Sequence, residues 1–167
     1  MMKDVLTTRS LRENGVPKDS DEIWAVGSID EANAIIGLAK VHSKGKTREI
    51  LAAIQKKMFY LGAEISSGEK MIHSDDVGQI SDMINEYIKR IELPRNFIVL
   101  EQDRTTAYLS IARAAVRRAE RWVVRLSRDG KIGADAAEWI NKLSYLLYLL
   151  ILNELGGNYE TVKFEKK

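Results

Sequence analysis

Apolar residues recur through segment 105–128 at alternating spacings of three and four positions. They are Leu109, Ala112, Val116, Ala119, Val123 and Leu126. Because an α-helix turns once in about 3.6 residues, this spacing puts all of them on one face, whereas a strand would need an alternation of two. The segment therefore predicts a long amphipathic helix whose apolar face is buried against other elements.

Similar patterns predict four more helices with clear breaks between them. Pro17 and Pro94 stand where a helix cannot continue, and Gly156 and Gly157 end the last apolar segment. The run 97–100 is too short to decide between a strand and a buried connection. The sequence thus predicts an all-α fold, a five-helix bundle with helices over about Asp21–His42, Thr47–Ser66, Asp75–Ile91, Thr105–Arg128 and Ala134–Leu155.

Composition limits the class of protein. A chain of 167 residues suits a single domain, 1–167, with an N-terminal loop at 1–20 and a tail at 158–167. The absence of cysteine excludes a disulfide framework and a thiol nucleophile, and a formal net charge of +2 does not indicate a nucleic-acid partner. No signal peptide or membrane-spanning run is recognisable, so we expect a soluble, cytoplasmic protein with no membrane partner. His42 and His73 stand alone, and no metal site built from protein ligands is predicted.

A basic flank runs beside the apolar face of the fourth predicted helix. Arg113, Arg117 and Arg121 follow one another at intervals of four residues, with Glu120 beside them. Arginines at this spacing repel one another, so the flank favours an anionic partner. Phosphates, or carboxylates across a subunit interface, would both suit guanidinium groups, and a solvated basic face is the alternative without a function. No aromatic residues interleave the arginines as they would in many RNA-binding surfaces.

The first predicted helix carries an acid on a face with few other polar residues. Asp30 shares that face with Val26, Asn33 and Gly37. A glycine inside a helix costs about 1 kcal/mol relative to alanine, which indicates the close approach of another backbone or of a ligand. We therefore expect Asp30 to be buried and paired with an arginine, although a half-exposed face would also explain the pattern.

Three segments carry motifs that occur together, in the same order, in one enzyme family. They are Val16-Pro17-Lys18-Asp19-Ser20 leading into Gly27-Ser28-Ile29-Asp30-Glu31, then Arg117-Arg118-Ala119-Glu120-Arg121, then Asn141-Lys142-Leu143-Ser144. The chain resembles the PduO-type ATP:cob(I)alamin adenosyltransferases, also called ATP:corrinoid adenosyltransferases. The family pattern has a lysine-acid loop before Gly-x-x-Asp-Glu, followed by Arg-x-x-x-Arg-Arg-Ala-Glu-Arg and Asn-Arg-Leu-Ser-Asp. The resemblance extends from about residue 16 to residue 155.

This resemblance implies both an assembly and a reaction. It implies a homotrimer with active sites between subunits, in which the 5′-deoxyadenosyl group of ATP passes to the cobalt of reduced cobalamin and triphosphate leaves. The cofactors would be ATP and Mg²⁺, with cobalamin as a substrate and a cobalamin-dependent enzyme as the receiver of the product. Arg117 would pair with Asp30 across the subunit boundary and complete the catalytic set with Arg121. Contacts to ATP would come from Lys18, Glu120, Arg121 and Asn141.

The N-terminal segment differs from the family pattern. Thr7-Thr8-Arg9-Ser10 stands where the family usually has a glycine-rich phosphate loop, Thr-Arg-x-Gly-Asp-x-Gly. Without that loop the chain would lose several backbone N–H donors to phosphate. The alternative function is therefore a catalytically weak relative that binds nucleotide or corrinoid as a sensor or chaperone. A helical scaffold whose arginines make only subunit contacts is a third hypothesis.

Overall fold

The computed structural model describes residues 5–163, in which five α-helices carry most of the chain. The helices are α1 (Asp21–His42), α2 (Gly45–Ser67), α3 (Ser74–Ile88), α4 (Arg104–Arg128) and α5 (Ala134–Leu155). Four short strands accompany them: β1 (Thr7–Arg9), β2 (Asn14–Pro17), β3 (Ile98–Val99) and β4 (Glu160–Thr161). The predicted five-helix architecture is confirmed.

Most helix bounds agree with the sequence pattern, and one end does not. Helices α1 and α5 begin and end where predicted, α2 begins two residues before Thr47, and α4 begins one residue before Thr105. The prediction for α3 was wrong at its end, because the helix stops at Ile88 and not at Ile91. Ile91 still packs against the core from beyond the helix end. The three-residue spacing from Ile88 to Ile91 therefore reflects packing against the core and does not show that Ile91 is helical.

The helices lie side by side in the order α2–α1–α4–α5–α3. Their buried apolar side chains form one continuous core. Helix α5 is apolar on nearly every side and is accordingly the most completely buried, with α4 and α3 packed against it. Within residues 5–163, no helix has a stretch long and apolar enough to cross a bilayer. The organisation of residues 1–167 as one domain stays a prediction, since 1–4 and 164–167 lie outside the described residues.

The segment predicted as an N-terminal loop contains a β-hairpin. Strand β1 pairs antiparallel with β2, and the register shifts between Thr8 and Arg9. Gly15 adopts a left-handed conformation with φ of 78°, which a glycine accommodates without strain. Ser20 follows as the N-cap of α1, its hydroxyl oxygen accepting a hydrogen bond from the N–H of Ile23 at 3.4 Å. The hairpin therefore leads directly into the first helix.

Residues 160 and 161 of the tail pair with a second short strand. Strand β4 runs antiparallel to β3, with Ile98 opposite Thr161 and Val99 opposite Glu160. The run 97–100, which the sequence left undecided, therefore includes a two-residue strand. This pairing fixes the chain after α5 against the connection between α3 and α4.

A buried carboxylate joins two loops at one end of the bundle. Glu64 on α2 is only 1% exposed. Its Oε2 accepts the backbone N–H groups of Met71 and Ile72 at 2.9 and 2.8 Å, and its Oε1 accepts that of Gly133 at 3.2 Å. The carboxylate thus holds the loop between α2 and α3 to the N-terminus of α5. Three N–H donors satisfy a charge that would otherwise be costly to bury.

A second carboxylate gives the bundle a defined acid sensitivity. Burial alone would raise the pKa of Asp76, but the ion pair with Lys57 at 2.6 Å and the hydrogen bond from the backbone N–H of His73 lower it below its ordinary value. A lowered pKa means that the stabilisation is complete above the unfolded-state value of about 3.9 and is lost as the pH falls through the folded-state value. We expect Asp76→Asn to be less stable than wild type at pH 6, with the difference disappearing in strong acid.

Urea unfolding at several pH values measures this difference. Asp82→Asn is the matched control, because Asp82 is exposed on the same helix α3 and makes no ion pair with any described residue. Its stability should follow that of wild type at every pH. A constant gap between wild type and Asp76→Asn down to pH 2 would contradict the assignment.

Candidate functional site

The arginines of α4 divide between two sides of the helix. On the side of α1, Arg118 pairs with Glu31 at 2.5 Å and Arg125 pairs with Asp21 at 2.9 Å. These two cations are engaged within the chain, and they hold α4 to α1. They are therefore poor candidates for binding a ligand or a second subunit.

The predicted basic flank lies on the side of α4 that faces α5. Burial raises the pKa of Tyr148 on α5, and the nearby Arg113 guanidinium opposes that rise. The Nε of Arg113 is buried and has no hydrogen-bond partner in the described part of the chain. Arg117 and Arg121 follow at successive turns, both exposed and without an ion pair to any residue in 5–163. The guanidinium groups of Arg117 and Arg121 thus remain available to a ligand or a second subunit.

A hydrogen bond connects the two motifs of this side. The amide nitrogen Nδ2 of Asn141 on α5 donates to Oε1 of Glu120 on α4 at 2.7 Å. The hydroxyl of Ser144 donates to the carbonyl oxygen of Asn141 at 3.1 Å and so serves the helix itself. The structure therefore brings together Glu120 and Asn141, which lie 21 residues apart in the sequence, and Arg121 is the residue after Glu120 on α4. Asn141 and Glu120 each keep a side-chain oxygen that can accept a further hydrogen bond.

Lys18 lies at a separate cleft, next to the start of α1. The cleft has a volume of about 350 Å³, and its lining includes Lys18, Trp24 and Glu31. Trp24 is 54% exposed and stacks on Trp122 with ring centroids 6.0 Å apart and an angle of 11° between the planes. Lys18 itself is exposed and forms no ion pair with a described residue. The sequence did not indicate this aromatic pair, because two tryptophans 98 positions apart carry no local pattern.

The expectation that Asp30 is buried was wrong. Asp30 is exposed and has no partner among residues 5–163. It lines a different groove, of about 240 Å³, between α1 and α2. Helix α4 contacts the other side of α1, and there it is Glu31 that meets an arginine. A pair between Asp30 and Arg117 therefore does not form within one chain, and the predicted pair between chains stays a prediction.

Within one chain the six predicted site residues fall into three places. Glu120 and Asn141 meet between α4 and α5, and Arg117 and Arg121 lie on α4 within one turn of Glu120. Lys18 lies in the cleft beside Trp24, and Asp30 lies in the groove beside α2. No described hydrogen bond or ion pair connects these places. The described residues also contain no cluster of three histidine or carboxylate side chains suited to a metal ion.

Comparison with known proteins gives these residues a context. The family model described as cobalamin adenosyltransferase matches residues 2–154. A cobalamin adenosyltransferase from Cupriavidus metallidurans is 32% identical over 152 residues, which cover 88% of this chain and 83% of that protein. The chain belongs to the cobalamin adenosyltransferase family. The resemblance read from the three motifs is thereby confirmed at the level of the family.

Other members of the cobalamin adenosyltransferase family extend the comparison. The corrinoid adenosyltransferase PduO of Salmonella typhimurium is 29% identical over 155 residues, which cover 88% of this chain and 46% of that protein. The chain thus spans about half the length of that relative. A variant of the PduO-type ATP:corrinoid adenosyltransferase from Lactobacillus reuteri, solved in complex with cobalamin and ATP, is similar with a TM-score of 0.81. At 22% identity over 96% of this chain and 95% of that one, this similarity shows a common fold.

Proposed function

We propose that this chain transfers the 5′-deoxyadenosyl group of ATP to the cobalt of reduced cobalamin. The Co(I) centre attacks C5′, the C5′–O5′ bond breaks, a cobalt–carbon bond forms, and triphosphate leaves with the bonding electron pair. The metal centre of the substrate is the nucleophile, so the protein has to bind, orient and exclude water. The observation that carries the proposal is the Glu120–Asn141 hydrogen bond, which is adjacent along α4 to Arg121, an exposed arginine without an ion pair among the described residues.

The triphosphate is assigned to Lys18 and Arg121. Both cations are exposed and unpaired among the described residues. Lys18 precedes the N-terminus of α1, where backbone N–H groups and the helix dipole favour an anion. Arg121 offers a fork of N–H donors for phosphate oxygens. Mg²⁺ would be held by phosphate oxygens, where it neutralises part of the negative charge of the leaving group.

The nucleoside is assigned to Glu120 and Asn141. With Nδ2 of Asn141 donating to Oε1 of Glu120, the second carboxylate oxygen and the amide oxygen remain as acceptors. Ribose hydroxyls and the exocyclic amine of adenine are donors and match this pair. The mutual hydrogen bond holds both side chains in place before ATP binds, which lowers the cost of ordering them.

The active unit is proposed to be a homotrimer with sites between subunits. Asp30 lies on α1 and Lys18 just before its start, whereas Arg117 and Arg121 lie on α4 and line neither the cleft of Lys18 nor the groove of Asp30, so one chain does not join the two halves. Complementary groups on different faces of a subunit suit a head-to-tail contact, which forms a ring where its rotation closes. Three subunits per ring follow from the resemblance to the family. We further propose a cytoplasmic location and delivery of the product to a cobalamin-dependent enzyme.

ATP binding tests this assignment directly. Hydrogen bonds to charged groups contribute about 1.5–3 kcal/mol each, so Lys18→Ala and Arg121→Ala should each weaken ATP-Mg²⁺ binding by about 10-fold or more. Ser144→Ala should reduce it only partly, because that hydroxyl binds the backbone of its own helix. Isothermal titration calorimetry is the measurement. Lys46→Ala and Arg128→Ala serve as controls, since both side chains are largely exposed and lie outside the assigned site.

The alternative function, a nucleotide or corrinoid sensor, is favoured by the N-terminal hairpin. That hairpin has Gly15 as its single glycine, where the usual family loop has two. The two functions separate in a turnover assay with chemically reduced cobalamin, followed by the absorbance change of adenosylcobalamin formation. Turnover that is lost in Arg121→Ala supports the enzyme. ATP binding without turnover supports the sensor, and no heat with millimolar ATP-Mg²⁺ contradicts both the enzyme and a nucleotide sensor.

A further inference from the structure

An exposed tryptophan forms part of the wall of the cleft that holds Lys18. Trp24 on α1 is 54% exposed, although indole is the largest of the apolar side chains. Its ring stacks on that of Trp122, which is partly buried and packs on the core. Arg125 lies over the Trp122 ring at 5.7 Å and is itself held by Asp21. The fold therefore supports the Trp24 ring from within the subunit and leaves much of it open.

A glycine keeps the cleft open beside this ring. Gly27 lies one turn after Trp24 on α1, and both residues line the cleft of about 350 Å³. Glycine is less favourable than alanine inside a helix, so it often indicates that another group needs the space. In the described part of the chain no group takes that space, because a Cβ at position 27 would have no packing neighbour within 4 Å. The space beside Trp24 therefore suits a ligand from outside the chain.

The cleft combines this aromatic surface with a free cation. Lys18 lines the same cleft and forms no ion pair with a described residue. A nucleotide carries the two matching groups, because its planar base and its phosphate chain are joined through one ribose. Bases stack on aromatic side chains, and phosphate oxygens accept charge-assisted hydrogen bonds from an ammonium. A corrin macrocycle is several times larger than a purine, so the volume of the cleft favours the nucleotide.

We propose that Trp24 holds the adenine of ATP by stacking, with the base over Gly27 and the phosphate chain at Lys18. The inference rests on the proposed function and adds to it the residue that binds the base. Trp24 covers one face of the ring, whereas the ribose hydroxyls and the amine at the edge of the base stay free for Glu120 and Asn141 across the subunit contact. Stacking fixes the plane of the base and so restricts the orientations open to C5′.

Replacing Trp24 separates binding of the base from binding of the phosphates. Trp24→Leu should weaken ATP-Mg²⁺ binding by about 10-fold, which corresponds to about 1.4 kcal/mol of stacking. Binding of inorganic tripolyphosphate with Mg²⁺ should stay nearly unchanged, because this probe has no base, whereas Lys18→Ala should weaken both probes. Trp24→Phe keeps an aromatic face and should retain most of the ATP affinity. Tyr60→Leu, which removes an aromatic ring of similar exposure on α2, is the matched control and should change neither affinity.

Filling the space beside Gly27 should change stability and binding in opposite directions. Leucine is more favourable than glycine in a helix, so Gly27→Leu should raise the melting temperature by about 2–4 °C. The same side chain occupies the space assigned to the base and should weaken ATP-Mg²⁺ binding as much as Trp24→Leu does. Gly78→Leu on α3 is the matched control, since Gly78 is also exposed in a helix with no packing neighbour within 4 Å. It should gain the same stability and bind ATP as wild type does.

Calorimetry with the two probes and tryptophan fluorescence together test the proposal. Trp24 is the exposed one of the three tryptophans, so ATP-Mg²⁺ should quench the emission of wild type, and tripolyphosphate should not. Trp24→Phe should lose this quenching although it still binds ATP. Wild-type ATP affinity in Trp24→Leu or Gly27→Leu, or an equal loss of ATP and tripolyphosphate binding in Trp24→Leu, would overturn the proposal. ATP binding that depends on Trp24 without any turnover would instead contradict the proposed transferase and support the base site, and a wild type that binds no ATP would overturn both.

Discussion

Glu64→Ala should lower the free energy of unfolding by about 3–5 kcal/mol, because a fully buried donor left unpaired costs about 1–3 kcal/mol and this change leaves one buried and two partly buried donors. The donors are the backbone N–H groups of Met71, Ile72 and Gly133. Alanine is too short to replace the carboxylate, and the loop between α2 and α3 would separate from the start of α5. For a domain of this size we expect the melting temperature to fall by about 10 °C or more.

Two further variants make the result specific to the carboxylate. Glu64→Gln keeps one oxygen for two of the donors and turns an N–H₂ group towards the third, so its loss should lie between those of wild type and Glu64→Ala. Glu69→Ala removes an exposed carboxylate five residues later and should be nearly neutral. Chemical unfolding at one fixed protein concentration ranks the series. Similar values for Glu64→Ala and Glu69→Ala would contradict the structural role.

Helix periodicity predicted the bundle well because each long helix buries a continuous stripe. The pattern failed where an apolar residue packs on the core without being part of a helix. Ile91 keeps the spacing of the α3 stripe yet lies past the end of the helix, where it packs on the core from the loop. The hairpin 7–17 and the pairing of β3 with β4 escaped prediction for a different reason. Strands of two to four residues are too short to show an alternation, and their partners are set by the fold.

The candidate site could be predicted only in part, because spacing along the chain does not show which residues of different helices meet. The sequence predicted that an acid on the first helix needs an arginine. It could not specify which acid meets the arginine, because that depends on which helix packs against each side of α1. In the structure Glu31 meets Arg118, whereas Asp30, one position earlier and about 100° around the helix, faces α2. The buried Oδ1 of Asn33, which has no hydrogen-bond partner among the described residues, likewise depends on packing between α1 and α2. No spacing along the chain reports a missing hydrogen bond.

A charge exchange between Asp30 and Arg117 should have the largest effect on assembly. Removing one partner of a buried ion pair costs about 3–5 kcal/mol, and a closed ring of three subunits repeats the contact three times. Asp30→Arg and Arg117→Asp should each therefore be monomeric at micromolar concentration. The double variant carries the exchanged pair and should assemble again, at least in part. Sedimentation velocity reports all three states, and assembly of either single variant would contradict the contact.

Mixing the two single variants tests the number of subunits in the ring. In a head-to-tail ring, Arg117 of Asp30→Arg can face Asp30 of Arg117→Asp, and the exchanged pair forms at the next contact. Such alternation closes a ring with an even number of subunits without any like-charge contact. A ring of three must place two identical variants side by side, so one of its contacts sets like charges against each other. We therefore expect the equimolar mixture to assemble far less than the double variant. Full assembly of the mixture would indicate a dimer or tetramer and contradict the trimer.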